Sequence, residues 1–232
     1  MEGFRTAGGQ EKGPLPARIR ALIYDFDDTI VHSGRVTDAL LSGFLQTQYG
    51  ISLSPHEWSL LNGYSWSGVY GWLHEHHGLR EGKEEVWTRF LSVKGGYLRE
   101  KKLRVASGIE RMLALPVPQA IVSGSTRAEI RMVMENIGMS ADIVQFILCD
   151  EEGGPGKPDP QGFLHALALL GTPAEETLVF EDSPAGIEAA HRAGMPVAFM
   201  GELAARDSAN LADIQFQSFV EAWEWVRGRI GY

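Results

Sequence analysis

The chain of 232 residues contains a single cysteine, Cys149. One thiol excludes an internal disulfide and fits a reducing, cytoplasmic environment. Because Cys149 follows the apolar residues 146–148, we expect a buried, inert thiol rather than a catalytic nucleophile.

Long apolar runs are also absent from the sequence. No stretch approaches the roughly 18 consecutive apolar residues of a membrane-spanning helix. Residues 1–17 are rich in glycine and polar groups and lack the apolar segment of a secretory signal. We predict a flexible tail at 1–17.

Basic residues are in the minority. The chain has 21 lysines and arginines against 30 aspartates and glutamates, which gives a formal charge of −9. This balance argues against a nucleic acid or an acidic membrane surface as the partner. We expect a small-molecule partner instead, and a monomer or a weak homodimer.

What the chain does have is a regular alternation of predicted strands and helices. Short apolar runs typical of buried strands lie at 21–24, 120–122, 144–149, 178–180 and 196–200. Helical patterns follow the second to fifth runs at 127–137, 160–170, 184–194 and about 218–230. This alternation predicts an α/β fold, with a mostly parallel sheet covered by helices on both faces.

Between the first and second predicted strands the pattern is helical throughout. The helices lie at 37–45, 55–61, 65–77 and 83–99, separated by breaks that contain glycine. We therefore predict a small all-helical domain at 36–104, inserted into a core formed by 18–35 and 105–232.

Several helices carry local signals of their own. Thr126 and Glu129 have the spacing of a capping box, and Asp159 is the expected cap of a helix that begins at Pro160. In the last helix one stripe is expected to face the core. It consists of Phe219, Val220, Trp223 and Val226.

Polar residues follow four of the predicted strands at the point where each strand ends. In chain order they are Asp25, Asp27 and Thr29, then Ser123 and Gly124, then Lys157, and then Glu181 and Asp182. Parallel strands bring their carboxyl ends to one edge of a sheet, where ligands bind. Acids suit a hard cation such as Mg²⁺, whereas a lysine, a hydroxyl and a helix N-terminus suit a phosphate.

Each of these features has an ordinary alternative explanation. Aspartates favour turns, Ser123 could be only a helix cap, and Lys157 could be a solvated loop residue. Glu181 and Asp182 could simply favour the adjacent helix N-terminus. The occurrence of all four in this order favours a shared site.

The order and the residues of these motifs resemble those of the haloacid dehalogenase superfamily, over about residues 19–200. Residues 156–160 and 181–190 are similar to its β-phosphoglucomutase-like branch in particular. The resemblance implies a Rossmann-like core with a small helical cap inserted after the first strand. One departure is Asp28, where the family more often has glycine.

The resemblance implies an aspartyl-phosphate mechanism. Asp25 would be the nucleophile. Asp27 would protonate the leaving oxygen and later deprotonate the attacking water. An acid at position 27 favours phosphoryl transfer over carbon–halogen cleavage, because the dehalogenating members lack it.

The same resemblance implies a Mg²⁺ cofactor. Asp25, the main-chain carbonyl of Asp27 and Asp182 would hold the ion, with Glu181 as a further ligand or an outer neighbour.

The remaining motif residues would bind the phosphate. Ser123 and the Gly124 amide would hold the phosphoryl oxygens, and Lys157 would offset the accumulating negative charge. Thr29, grouped with them, is expected to orient the loop that carries Asp27.

The helical insert bears on the substrate. Residues 61–66 resemble the cap loop that faces the active site in this branch. Phosphosugar mutases carry an arginine there for a second phosphate, whereas this sequence has Trp66, which could stack on a sugar face or a base.

The leading interpretation is a Mg²⁺-dependent phosphatase for a small phosphomonoester, either a sugar phosphate or a nucleotide-related metabolite. The alternative enzyme is a phosphosugar mutase of the β-phosphoglucomutase type. A receiver-like phosphorylation module is less favoured, because a receiver is much shorter and has no large helical insert.

Overall fold

A computed structural model describes residues 15–61, 64–152, 154–202 and 206–230. Of the predicted tail at 1–17, residues 1–14 lie outside the described residues. Among the described residues, no helix is both long enough and apolar enough to cross a membrane.

Six parallel strands form one sheet. They are β1 Ala21–Tyr24, β2 Gln119–Val122, β3 Phe146–Leu148, β4 Thr177–Glu181, β5 Val197–Met200 and β6 Ile214–Phe216. Their order across the sheet is β3-β2-β1-β4-β5-β6, and all neighbours run parallel. The predicted α/β class with a parallel sheet is confirmed.

The central strand β1 explains why both faces of the sheet must be covered. All four of its residues are buried. Leu22 and Tyr24 pack into the apolar core on one face, and Ile23 packs into the core on the other. Such a continuous apolar strand is stable only between two layers of helices.

Nine α-helices are found among the described residues. They are α1 Gly34–Tyr49, α2 Pro55–Leu61, α3 Trp66–His76, α4 Lys83–Glu100, α5 Ile109–Leu113, α6 Arg127–Ile137, α7 Gln161–Leu170, α8 Pro184–Arg192 and α9 Phe219–Arg227. Helices α5, α6 and α9 contribute to the core on one face of the sheet. Helices α7 and α8 contribute to the core on the opposite face.

The sixth strand, β6, is not predicted by the sequence analysis. It has only three residues, and the exposed Gln215 separates Ile214 from Phe216. It pairs with β5 alone, at the edge of the sheet. An edge strand this short offers too few apolar positions to stand out from a loop.

Two predicted helix details differ in part from the structure. Helix α7 begins at Gln161 with Pro160 as its N-cap residue, and Asp159 Oδ1 accepts a hydrogen bond from the Gln161 N–H at 2.9 Å. In α9, Phe219 and Val226 are fully buried as expected, but Val220 is 48% exposed. The apolar stripe of α9 is therefore narrower than predicted, and Phe219 packs against Tyr24 of β1 and Phe180 of β4.

The single thiol is buried as predicted. Cys149 is 1% exposed, and burial raises the pKa of this thiol to about 12. It therefore stays protonated at physiological pH and is a poor nucleophile.

Helices α1 to α4 form an apolar cluster of their own, built around Leu45, Leu73, Phe90, Trp66 and Trp87. This cluster is separate from the two cores that flank the sheet. The predicted bounds of the helical cap, 36–104, stay a prediction, since Val36, Leu98 and Leu103 near its ends pack in the core beside the sheet. The cap lies over the carboxyl ends of the strands, where Trp66 and Trp87 share a cavity with Asp25 and Lys157.

Candidate active site

The carboxyl ends of β1 and β4 meet at Lys157. The Lys157 ammonium donates to Asp25 Oδ1 at 2.5 Å, to Glu181 Oε1 at 2.5 Å and to the Val122 carbonyl at 3.3 Å. All three charged side chains are buried. The adjacency of β1 and β4 in the sheet places the two acids side by side, within reach of one lysine.

The buried charges at this site are not balanced. Burial raises the pKa of Asp25 to about 8, although the Lys157 ammonium lowers it. Burial also raises the pKa of Asp182 well above its ordinary value, and the charges of Asp25 and Glu181 add to this. Burial opposes the charge on Lys157, but its two carboxylate partners raise the pKa of Lys157 overall. A further cation would relieve this crowding.

Three of these acids are arranged as a possible metal site. Asp25, Glu181 and Asp182 each present an oxygen within 4.8 Å of the others. Asp25 Oδ2 is buried and has no hydrogen-bond partner among the described residues. Because Mg²⁺ prefers carboxylate oxygens, the donor set fits this ion. The side chain of Asp27 lies outside the cluster, and the contribution of its carbonyl stays a prediction.

The carboxyl group of Asp27 is held by serine hydroxyls. Ser33 donates to Oδ1, while Ser123 and Ser125 donate to Oδ2 at 3.2 and 2.7 Å. The Ser125 N–H in turn donates to the Ser123 hydroxyl at 3.0 Å. These bonds fix the orientation of the Asp27 carboxyl at the cavity. Ser33 and Ser125 were not among the predicted site residues. The only sign of Ser125 was a second serine two residues after Ser123.

Both oxygens of Glu181 already have protein donors. Oε1 accepts from Lys157, while Oε2 accepts from the N–H groups of Asp182 and Ser183 at 3.0 and 3.1 Å and from the Ser183 hydroxyl at 3.1 Å. This arrangement fixes Glu181 as the support of Lys157. Its predicted role as a metal ligand stays a prediction.

The other predicted phosphate-binding residues differ in whether they reach the cavity. Gly124 lines the cavity at the start of α6, beside Ser125. Ser123 is buried, with its hydroxyl directed to Asp27. Thr29 is buried at 1% exposure, and it is not among the described residues that line the cavity.

The cavity between the cap and the strand ends encloses about 140 Å³. Its cap side is aromatic and is lined by Trp58, Tyr64, Trp66 and Trp87. Trp66 is 6% exposed and stacks on Trp87 with ring centroids 4.6 Å apart. A cavity of this size suits a small metabolite rather than a macromolecule.

Comparison with known proteins agrees with this geometry. A family model described as haloacid dehalogenase-like hydrolase matches residues 19–194. The chain belongs to this hydrolase family. The resemblance inferred from the motifs is thereby confirmed.

Two curated relatives of this hydrolase are phosphatases. It is 30% identical to validoxylamine A 7'-phosphate phosphatase of Streptomyces hygroscopicus subsp. limoneus over 87 residues, 38% of this chain and 40% of that protein. It is 24% identical to 6-phosphogluconate phosphatase of Escherichia coli over 183 residues, 78% of this chain and 82% of that protein. The first match thus spans well under half of the relative's length.

Solved structures share the fold of this hydrolase. A crystal structure of β-phosphoglucomutase from Clostridium difficile superposes with a TM-score of 0.77 at 21% identity. The superposition covers 91% of this chain and 96% of that one. At this identity the likeness establishes the fold, a Rossmann-like core with a cap, as predicted.

Three further carboxyl groups line the cavity of this hydrolase and were not assigned by the sequence analysis. They are Asp28, Asp38 and Glu129. Burial raises the pKa of Asp28 and of Asp38 to about 6 each, and the neighbouring acids add to the shift. Asp38 nevertheless remains accessible to solvent in the cavity.

The backbone of Asp28 explains the departure from the family motif. Asp28 has a φ of 58°, in the left-handed region that favours glycine. Aspartate tolerates this conformation better than most residues. The Asp28 carboxyl accepts a hydrogen bond from the Gly34 N–H at 3.1 Å, which holds it at the cavity wall.

A buried ion pair joins the cap to the core. Lys94 of α4 is 0% exposed, pairs with Glu129 of α6 and donates to Thr37 Oγ1 of α1 at 2.7 Å. The predicted capping box is therefore only half formed. Thr126 Oγ1 accepts from the Glu129 N–H at 3.3 Å, but the Glu129 carboxyl bonds to Lys94 instead of the cap residue.

Proposed function

We propose that this hydrolase is a Mg²⁺-dependent phosphatase that cleaves a small phosphomonoester through an aspartyl-phosphate. The central observation is the placement of Asp25. Lys157 holds its Oδ1 at 2.5 Å, while its Oδ2 is buried and lacks a partner among the described residues. A nucleophile held in this way has one oxygen free for phosphorus or for a cation.

In the first half of the proposed reaction, Asp25 attacks the phosphorus atom. A bond forms between phosphorus and the Asp25 carboxylate, and the bond to the ester oxygen breaks. Asp27 gives its proton to the leaving oxygen, which departs as an alcohol. The serine hydroxyls that fix the Asp27 carboxyl keep it oriented for this transfer.

In the second half, water replaces the alcohol. Asp27, now a carboxylate, takes a proton from the attacking water. The new bond to phosphorus forms as the bond to Asp25 breaks, which releases phosphate and restores Asp25. Lys157 offsets the negative charge that develops between Asp25 and the phosphoryl group.

Asp25 and Asp182 are the residues best placed to hold the metal, with Glu181 as the support of Lys157. When bound, a divalent cation supplies charge stabilisation for the phosphoryl oxygens. The crowded carboxyls at this site are consistent with such a requirement.

The lining of the cavity favours hydrolysis over the mutase alternative. A bisphosphate intermediate needs a cation in the cap for its second phosphate. Among the described lining residues the cationic side chain is Lys157 alone, and it is already bound to Asp25 and Glu181. The family resemblance also implies that this chain has Trp66 where the mutases carry their arginine. Curated relatives carry both phosphatase and β-phosphoglucomutase names, so the preference for hydrolysis rests on the lining of the cavity.

The test is phosphate release by the purified chain from p-nitrophenyl phosphate and a panel of phosphorylated metabolites. We expect release in Mg²⁺ that disappears in excess chelator and returns when Mg²⁺ is restored. Release that persists in the chelator would contradict the metal requirement. Conversion of β-glucose 1-phosphate into an isomer, without free phosphate, would favour the mutase. The predicted cytoplasmic location and monomeric or weakly dimeric state stay predictions.

Gly186 gives a sharper test of the support that Glu181 provides. A Cβ atom at this position would lie 1.8 Å from Glu181 Oε1, so Gly186→Ala must displace the carboxylate that holds Lys157. A displacement of this order is expected to lower kcat about 100-fold. The measurement is kcat for p-nitrophenyl phosphate in Mg²⁺.

The matched control is Gly43→Ala in α1, where an added Cβ meets nothing within 4 Å. This change is expected to leave kcat unaltered and to raise the free energy of unfolding by about 0.5–1 kcal/mol. Equal kcat values for the two variants would show that Glu181 does not need its present position.

A further inference from the structure

The charges in the cavity are strongly one-sided. Of the described residues that line it, six carry carboxyl groups and one carries a cationic side chain. Asp25, Asp27 and Asp182 belong to the proposed phosphate chemistry. The other three, Asp28, Asp38 and Glu129, face the same space and have no part in that mechanism.

These three carboxyl groups differ in what already binds them. Glu129 is buried and paired with Lys94. Asp28 is half-buried and accepts from the Gly34 N–H. Asp38 is exposed to the cavity, and no described residue donates a hydrogen bond to it. Asp38 is thus a carboxylate available to a ligand. Burial raises the pKa of Asp38, the charges of Asp28 and Asp27 raise it further, and Lys94 lowers it.

The aromatic side of the cavity favours the same kind of ligand. Trp58, Tyr64 and Trp66 line it together with Asp38, and the faces of such rings attract cations. Aromatic rings beside the carboxylate of Asp38 form an environment that stabilises a positive charge and repels a negative one.

We propose that the phosphomonoester substrate carries an ammonium group, which Asp38 binds with help from Asp28 and the cap aromatics. This inference rests on the proposed phosphatase function and names the class of its substrate. An ammonium group supplies three donors and a full charge to a carboxylate. A hydroxyl supplies one donor without charge. A second phosphate or a carboxylate would meet like charges at Asp28 and Asp38.

The test compares phosphate esters that carry an amine, a hydroxyl or a carboxylate away from the phosphate. One series has two carbons: phosphoethanolamine, 2-hydroxyethyl phosphate and phosphoglycolate. The other has six: glucosamine 6-phosphate, glucose 6-phosphate and 6-phosphogluconate. The two lengths allow for the reach of Asp38 from the phosphate. We expect kcat/KM to fall in the order amine, hydroxyl, carboxylate in at least one series.

The amine is expected to exceed the matched hydroxyl by about 10-fold or more, the order of one hydrogen bond to a charged group. Asp38→Asn keeps the shape and removes the charge, and it should abolish this ratio. Asp142→Asn makes the same change at an exposed site outside the cavity and should leave the ratio unchanged.

The outcomes distinguish failure of the phosphatase function from failure of the ammonium inference. No phosphate release from any ester by folded protein in Mg²⁺ would overturn the phosphatase function. Release from esters with no preference for the amine in either series would overturn the ammonium inference alone. The same conclusion would follow if the preference survived in Asp38→Asn.

Discussion

Replacing Asp25 by asparagine is expected to lower kcat for phosphate release by about 10⁴-fold. A loss of this size is typical when one member of a nucleophilic catalytic unit is removed. Asparagine has nearly the same shape but cannot form the acyl-phosphate bond from a carboxylate oxygen. It also removes the negative charge that pairs with the Lys157 ammonium, which lies 2.5 Å from Asp25 Oδ1. The measurement is kcat on p-nitrophenyl phosphate in saturating Mg²⁺.

Thermal unfolding distinguishes lost chemistry from lost structure. Asp25 lies among like charges from Glu181 and Asp182, so removal of its charge should not destabilise the metal-free protein. Mg²⁺ should raise the melting temperature of the parent protein more than that of Asp25→Asn, because a ligand is lost. Asp142→Asn serves again as the control, with parental activity. Unchanged turnover in Asp25→Asn would exclude Asp25 as the nucleophile.

The strand ends could be predicted because apolar runs and the acids that follow them are both local features. The segment 21–27 carries a buried strand and two carboxylates within seven residues. The parallel sheet then brings Asp25 to Lys157, although the two are 132 positions apart. Their proximity was predictable from the rule that ligands bind at the carboxyl ends of parallel strands, which lie at one edge of the sheet.

Other features could not be predicted, because their meaning depends on a distant partner. Asp38 lies on an exposed position of α1, where an acid has the ordinary explanation of a solvated side chain. Only the fold places it in the same cavity as Asp25. The edge strand β6 also depends on a distant partner, because Ile214 and Phe216 form a strand only by pairing with β5.

Glu129 is the clearest case. Its spacing from Thr126 is that of a capping box, and the local part of that prediction holds. Its carboxyl group, however, bonds to Lys94, which is 35 residues earlier in the chain and belongs to the cap. A buried ion pair outweighs a local capping bond, because neither charge can remain unpaired inside the protein.

Replacing Lys94 by methionine is expected to lower the free energy of unfolding by about 3–5 kcal/mol near pH 8, the cost of leaving one charge of a buried pair without its partner. Methionine fills similar space and is a good helix former. Destabilisation would therefore come from the carboxyl group of Glu129 rather than from a cavity. The measurement is urea-induced unfolding, with Lys102→Met at an exposed position as the control. The control should change the free energy by less than about 0.5 kcal/mol.

The pH dependence of this loss identifies Glu129 as its source. Burial already raises the pKa of Glu129 above its ordinary value, although Lys94 lowers it. Without Lys94 the pKa of Glu129 in the folded state rises further above its unfolded value. A group of this kind favours the folded state at low pH, and that stability is lost as the pH rises through the folded pKa. The loss in the free energy of unfolding caused by Lys94→Met should therefore be smaller near about pH 5.5 than near about pH 8. The double variant Lys94→Met with Glu129→Leu should recover most of the lost free energy. A deficit that is independent of pH and persists in the double variant would assign the effect to packing instead of the ion pair.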